Sequence, residues 1–146
     1  MPDTTQMLPD LQSSLVCDDV RQEHNGKFIL IGLFDALAVP AYPAVFQRIC
    51  VVNRWCCGQG LYHQQSRIIK PDGVSVLVEG KEIPVKLDTE MATATSVEFF
   101  VNVRFDAEGV YWVEIRLEGD IKVRYPLRAS VLPQPPVAPA PEPGRA

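Results

Sequence analysis

From residue 11 to residue 132 apolar and polar positions alternate in short runs, and Gly, Pro, Asn and Asp punctuate them at intervals of about ten residues. A two-residue period puts successive side chains on opposite faces of an extended strand. No stretch of useful length carries the three-to-four-residue spacing of an amphipathic helix. In SVEFFVNVRF the pattern sets Val97, Phe99, Val101, Val103 and Phe105 on an inward face, with Glu98, Phe100, Asn102 and Arg104 outward. In GVYWVEIRL it sets Tyr111, Val113, Ile115 and Leu117 inward. The loop Glu118-Gly119-Asp120 then leads into IKVRYPL, where Ile121, Val123, Tyr125 and Leu127 continue that face. Pairing Leu117 with Ile121 puts Glu114 opposite Arg124 and Trp112 opposite Pro126, a salt pair and an apolar contact on the outer face. Pro126 has no N–H to give a ladder, so this last strand is expected at a sheet edge.

Earlier in the chain, LVCDDVRQEHNGKFILIGLFDAL reads as a hairpin turning at Asn25-Gly26, a strong two-residue turn signal. That turn pairs Val20 with Ile31, Cys17 with Phe34 and Asp19 with Gly32. A second pair, FQRICVVNRWCC with LYHQQSRIIK, is joined by Gly58-Gln59-Gly60, and Pro71-Asp72-Gly73 turns into VSVLVEG. Eight or nine short strands make an all-β chain, an antiparallel two-sheet β-sandwich of immunoglobulin or fibronectin type. The run Asp106 to Tyr111 resembles the tyrosine corner of such sandwiches, in which a Tyr just inside a strand bonds back to the corner before it. Under that likeness Phe105 and Tyr111 meet across the core; a plain hairpin is the other reading.

At 146 residues the chain is long enough for one core, assigned to residues 11–132. Residues 1–10 read as a disordered polar tail. Residues 133–146 hold six prolines and read as a disordered, polyproline-like tail whose PxxP spacings suit an aromatic groove. The balance of 14 basic and 18 acidic residues, with the basic ones scattered, argues against nucleic acid as a partner. Without a signal-like start or a membrane-length apolar run, the expectation is a cytoplasmic protein that does not enter a membrane. Cys17, Cys50, Cys56 and Cys57 have no framework spacing and are expected as free thiols.

Cys17-Asp18-Asp19-Val20, Asn25-Gly26-Lys27, Ile31-Gly32 with Phe34-Asp35, the Pro71-Asp72-Gly73 turn and Gly109-x-Tyr111 carry a wider likeness. Together they resemble an uncharacterised bacterial family of small sandwich proteins. The resemblance implies the fold and a cytosolic setting, and brings no activity and no site residues.

Three constellations hold candidate chemistry. In the Asn25-Gly26 register Asp18 faces Leu33 and lies diagonal to Asp35, so the two carboxylates share a face and offer a weak metal site, whereas Asp19 points the other way. An edge guard is the competing role for these acids. Cys57 and His63, across the Gly58-Gln59-Gly60 turn, are a second weak ligand pair, because zinc wants four ligands and neither CxxC nor a second Cys/His pair is present. Phe100 and Trp112, with Arg104 and Arg116 nearby, fall on outward faces and have the composition of a binding surface. Phe28 to Leu33 is apolar on both faces, so Ile29, Ile31 and Leu33 need a cover, for which the loop Ala38 to Val45 and a second subunit are the candidates. No nucleophile elbow, phosphate loop, zinc-protease motif or dinucleotide fingerprint occurs. The expectation is a non-enzymatic module that binds a protein partner or itself and uses no cofactor; the alternative is a metal- or ligand-binding sandwich.

Overall fold

The computed structural model describes residues 8–133, so most of both predicted tails lies outside the described residues. Within them are ten strands: β1 (Asp10–Gln22), β2 (Phe28–Phe34), β3 (Ala36–Val39), β4 (Ala44–Cys56) and β5 (Gly60–Ile69), followed by β6 (Val76–Glu79), β7 (Ile83–Leu87), β8 (Thr93–Phe105), β9 (Gly109–Leu117) and β10 (Asp120–Val131). The domain starts earlier than its alternation suggests, because Pro9 is buried against Gly58, where an added Cβ would come within 2.9 Å of the proline ring.

Two sheets face each other, one in the order β2-β1-β4-β8 and one in the order β3-β10-β9-β5-β6, with β7 also paired to β5. All pairings are antiparallel except that of β3 with β10. The strands predicted as a pair around Gly58-Gln59-Gly60 lie in different sheets, so that turn is an arch over the core. The Asp106–Glu108 connection is also an arch. At it Tyr111 donates its hydroxyl to the Ala107 carbonyl at 2.8 Å, and its ring stacks on Phe105 at 4.7 Å between centroids. Trp55, Ile49, Phe100 and Phe105 from one sheet meet Ile68, Val113, Ile115 and Leu127 from the other in the main core.

The β9–β10 pairing sets Glu114 opposite Arg124 and Trp112 opposite Pro126, as the alternation indicates. Its turn differs. Glu118 and Gly119, both at positive φ, close a two-residue turn, and an irregularity between Ile121 and Val123 absorbs the extra residue. Ile121 is therefore exposed instead of inward. Nor is β10 an edge strand. However, β3 joins it only from Arg128 onward, so the flank beside Pro126 is open and tolerates a residue without an N–H.

Along β8 the alternation breaks. Phe100, expected outward, is buried at 5% exposure, while Phe99 and Val101, expected inward, are exposed. Asn102 takes a left-handed φ of 52°, and Phe100 and Val103 both turn inward on either side of the exposed Val101 and Asn102. β4 makes the same two-residue step, with Phe46 and Ile49 packed inward around exposed Gln47 and Arg48. Because both strands step together, their register is unchanged.

Candidate functional site

The first hairpin is one residue out of the register its turn signal suggests. Gly26 donates to the Glu23 carbonyl at 2.9 Å and Glu23 donates to the Lys27 carbonyl at 2.8 Å, so three residues rather than two turn the chain. Only Gly26 takes positive φ, at 91°. Asp19 consequently pairs with Ile31, Val20 with Leu30 and Cys17 with Leu33.

β1 pairs with β4 only as far as Cys17 opposite Cys50; beyond that point it pairs with β2 alone. Phe28, opposite Gln22, lines one cleft with Ser13 and Leu15, and Asn25, Gly26 and Lys27 lie beside Arg54, Thr93 and Thr95. Gln22 and Ser13 would be roughly 30 Å apart along a straight strand at about 3.3 Å per residue. The hairpin must therefore fold back over the outer face of its own sheet. Val20 and Leu30 come down on Cys17, Cys50, Val52 and Val97 and form a second, smaller core. This fold-back, not the loop Ala38 to Val45, covers one face of the doubly apolar strand; Ala38 and Val39 of that stretch belong to β3, which pairs with β10 in the other sheet.

The bend has its own chemistry. Gly32 takes φ 70°, and a Cβ there would overlap the Asp18 carboxyl. Where β1 leaves β4, the Cys50 thiol donates to the Asp18 carbonyl at 3.4 Å and the Cys17 thiol donates to the Asp19 carbonyl at 3.5 Å. Burial pushes both thiols up, Cys50 to about 11, so they stay protonated and keep donating. Asp19 accepts from the Val20 amide at 2.9 Å and from Arg21 at 3.1 Å, with Arg48 at 3.6 Å. The amide bond first, and then the two arginines, hold its carboxyl below the usual range. Arg48 also lies over the Phe99 ring at 5.5 Å.

Other expected site residues part company. The register sets Gly32, not Leu33, beside Asp18, which removes the shared face expected of Asp18 and Asp35. Cys57 sits just past β4 at φ 62°, while His63 is on β5 in the other sheet, its Nδ1 3.5 Å from Glu118. Among the described residues no group of three or more His, Cys, Asp and Glu side chains converges as metal ligands do. Phe100 and Arg104 belong to one sheet and Trp112 and Arg116 to the other, so these four do not make one patch. Arg104 is tied to Asp106 at 2.9 Å.

What remains is the exposed apolar surface of β2. Ile29, Ile31 and Leu33 are 43%, 44% and 59% exposed, and among the described residues β2 is an edge strand with one side unpaired. Two features escaped the sequence reading. Glu114, buried on the outer face of the second sheet, accepts from Arg67 at 2.7 Å, Arg116 at 2.7 Å and Arg124 at 3.1 Å. Burial raises its pKa, but the hydrogen bonds and charges of Arg116 and Arg67 outweigh that and leave it lowered. Between the sheets, Gln64 takes Trp55 Nε1 at 2.5 Å and Asn53 Nδ2 at 3.3 Å on its Oε1 and donates to Ser96 at 2.5 Å. Alternation places Gln64 on the inward face with Tyr62 and Ser66, which was the available signal for a polar core.

A family model described as a family of unknown function (DUF6941) matches residues 12–130, from within β1 to within β10. No curated protein matches the chain.

Proposed function

The chain belongs to this family of unknown function, and we propose that it is a non-enzymatic protein-interaction module that assembles with a second copy of itself through β2. The observation that carries the reading is the free edge of β2 with Ile29, Ile31 and Leu33 exposed along it. Natural sheet edges are usually guarded by charge, proline or a covering element, and FILIGLF contains neither charge nor proline. The segment is also nearly symmetric about Ile31. Antiparallel pairing of two copies centred there sets Phe28 opposite Phe34, Ile29 opposite Leu33 and Ile31 opposite itself, as a two-fold interface demands.

The residues that catalysis would recruit have other work in this reading. Cys17 and Cys50 spend their thiols on the carbonyls of the bend, and His63 lies against Glu118. The thiols donate only while reduced, which supports a cytoplasmic setting. The net charge of −4 favours a protein partner over nucleic acid. Among the described residues no helix is long and apolar enough to cross a membrane. An immunoglobulin-like ancestry belongs to the same proposal, supported by the Tyr111 corner and by the parallel pairing of β3 with the last strand.

Sedimentation velocity over a concentration series tests the assembly. The expected result is a reversible dimer that becomes a monomer in Ile31→Lys, with an unchanged circular dichroism spectrum because Ile31 is exposed. A wild-type chain that stays monomeric into the submillimolar range overturns the proposal, as does an Ile31→Lys variant that still dimerises.

A further inference from the structure

The sandwich is open along one side, where β8 ends one sheet and β6 and β7 flank the other. There Val78, Gly80, Ile83, Phe100 and Val101 wall a cleft of about 410 Å³, and Glu98 forms part of its lining. The carboxyl is closely fitted. A Cβ on Gly80 would overlap it and push the carboxyl aside, and the Gly80 amide is fixed to the Ser66 carbonyl at 2.9 Å. The Ser66 hydroxyl and the Lys81 backbone amide lie close enough to favour the charged carboxyl, against the burial that raises its pKa. Its Oε1 is nonetheless buried and has no hydrogen-bond partner among the described residues. Behind it Ser66 accepts from Asn53 Nδ2 at 3.0 Å, in the buried polar chain that runs through Gln64.

A carboxylate oxygen shielded from water without a donor is costly, and a group that brings both a donor and a positive charge recovers most of that cost. Charged residues at the rim do not supply it: Glu79 is held by Gln65 at 2.9 Å, and Lys81 meets Glu98 through its backbone while its side chain is exposed. We propose that this cleft binds a primary alkylammonium group, with the ammonium at the Glu98 carboxylate and the apolar stem along Val78, Ile83 and Val101. A cation is favoured over a neutral donor because burial raises the pKa of this carboxyl, so a bound ammonium restores the charged form that burial opposes. The amine arrives either as a small molecule or as a lysine side chain on an extended segment lying beside the free edge of β8. The site is independent of β2, and dimerisation can fail without touching it.

Titration of the ¹⁵N-labelled full chain with n-butylammonium, followed by amide chemical shifts, tests the site. Saturable shifts are expected at Gly80, Lys81 and Val101. Affinity should rise about fourfold for each methylene buried between propyl-, butyl- and pentylammonium. Glu98→Gln should weaken butylammonium binding about tenfold or more, the loss expected for one charge-assisted hydrogen bond. Butanol on the wild-type chain reads the same term without any variant and should bind correspondingly more weakly. A capped lysine tripeptide that saturates the same amides more tightly than butylammonium assigns the amine to a protein segment; the reverse order assigns it to a small molecule. Shifts that do not saturate, or butanol binding equal to butylammonium, overturn the proposal.

Discussion

Glu114 on β9 is 1% exposed and accepts from three arginines, whereas Glu98 on β8 has one oxygen buried with no partner among the described residues. The difference lies in where each strand sits. β9 is flanked on both sides, so Arg67 on β5 and Arg124 on β10 stand directly opposite Glu114, and Arg116 reaches it from its own strand. β8 is the last strand of its sheet, and Glu98 has a cross-strand neighbour, Val51, on one side only. Burial pushes both carboxyls up; at Glu114 the arginines reverse the effect and at Glu98 nothing does. A central strand can satisfy a buried charge from both flanks, whereas an edge strand leaves the second flank to whatever else arrives.

Three changes would break or sharpen this contrast. The largest effect is expected from Glu114→Ala, which leaves three guanidinium groups crowded without their shared acceptor and should cost about 4 kcal/mol in urea unfolding. A loss close to that of an exposed ion pair would mean that the arginines are solvated without it. Next in size is Gly80→Ala, which pushes the Glu98 carboxyl aside and should cost about 1 kcal/mol, the low end for overpacking because the carboxyl ends a flexible side chain. In a Glu98→Ala background the same change should cost far less, and additive losses would show that the carboxyl is not fitted against Gly80.

The smallest effect concerns pH. Because the folded pKa of Glu98 is raised, the folded chain holds its proton longer than the unfolded one. Its contribution to stability is present below the ordinary value of 4.5 and is lost as pH rises through the folded value. Asp19, Asp72 and Glu114 are lowered, Asp72 to about 2, so their contributions hold above the carboxylate range and disappear as pH falls. Glu98→Gln should therefore remove a decline in stability on the alkaline side of pH 4.5 and leave the acid limb unchanged, as read from melting temperature against pH. A variant that alters only the acid limb would reverse the assignment.

Much of the fold could be read without coordinates wherever a strand keeps strict alternation between clear turns. β9 and the body of β10 are such a case: Tyr111, Val113, Ile115 and Leu117 are buried, and the Glu114–Arg124 and Trp112–Pro126 pairings follow from the alternation. The tyrosine corner was legible only as one of two readings, and the Tyr111 bond to Ala107 together with the change of sheet decided for the corner over the hairpin. Phe100 was misplaced because β4 and β8 step by two residues at the same level, and a step made jointly leaves no mark in either pattern. Asp18 and Asp35 were misjudged because one extra residue in the turn moved the whole register. Of the candidate surface, Ile29, Ile31 and Leu33 were identified from their excess of apolar faces. The cleft at Glu98 was not, since it joins β8 to strands β6 and β7 of the other sheet.

By itself the sequence determined that the chain is all β, where most strands begin and end, and which side chains of β9 and of β10 beyond its irregularity face the core. Period-two alternation and turn residues act over a few neighbouring positions, and that information survives in one dimension. Only the tertiary structure decided that β4 and β5 arch between sheets instead of pairing, that LVCDDVRQEHNGKFILIGLFDAL folds back on its own sheet, and that Glu114 is satisfied while Glu98 is not. Each of those outcomes depends on side chains brought together from distant parts of the chain, and packing between them carries no local periodicity to read.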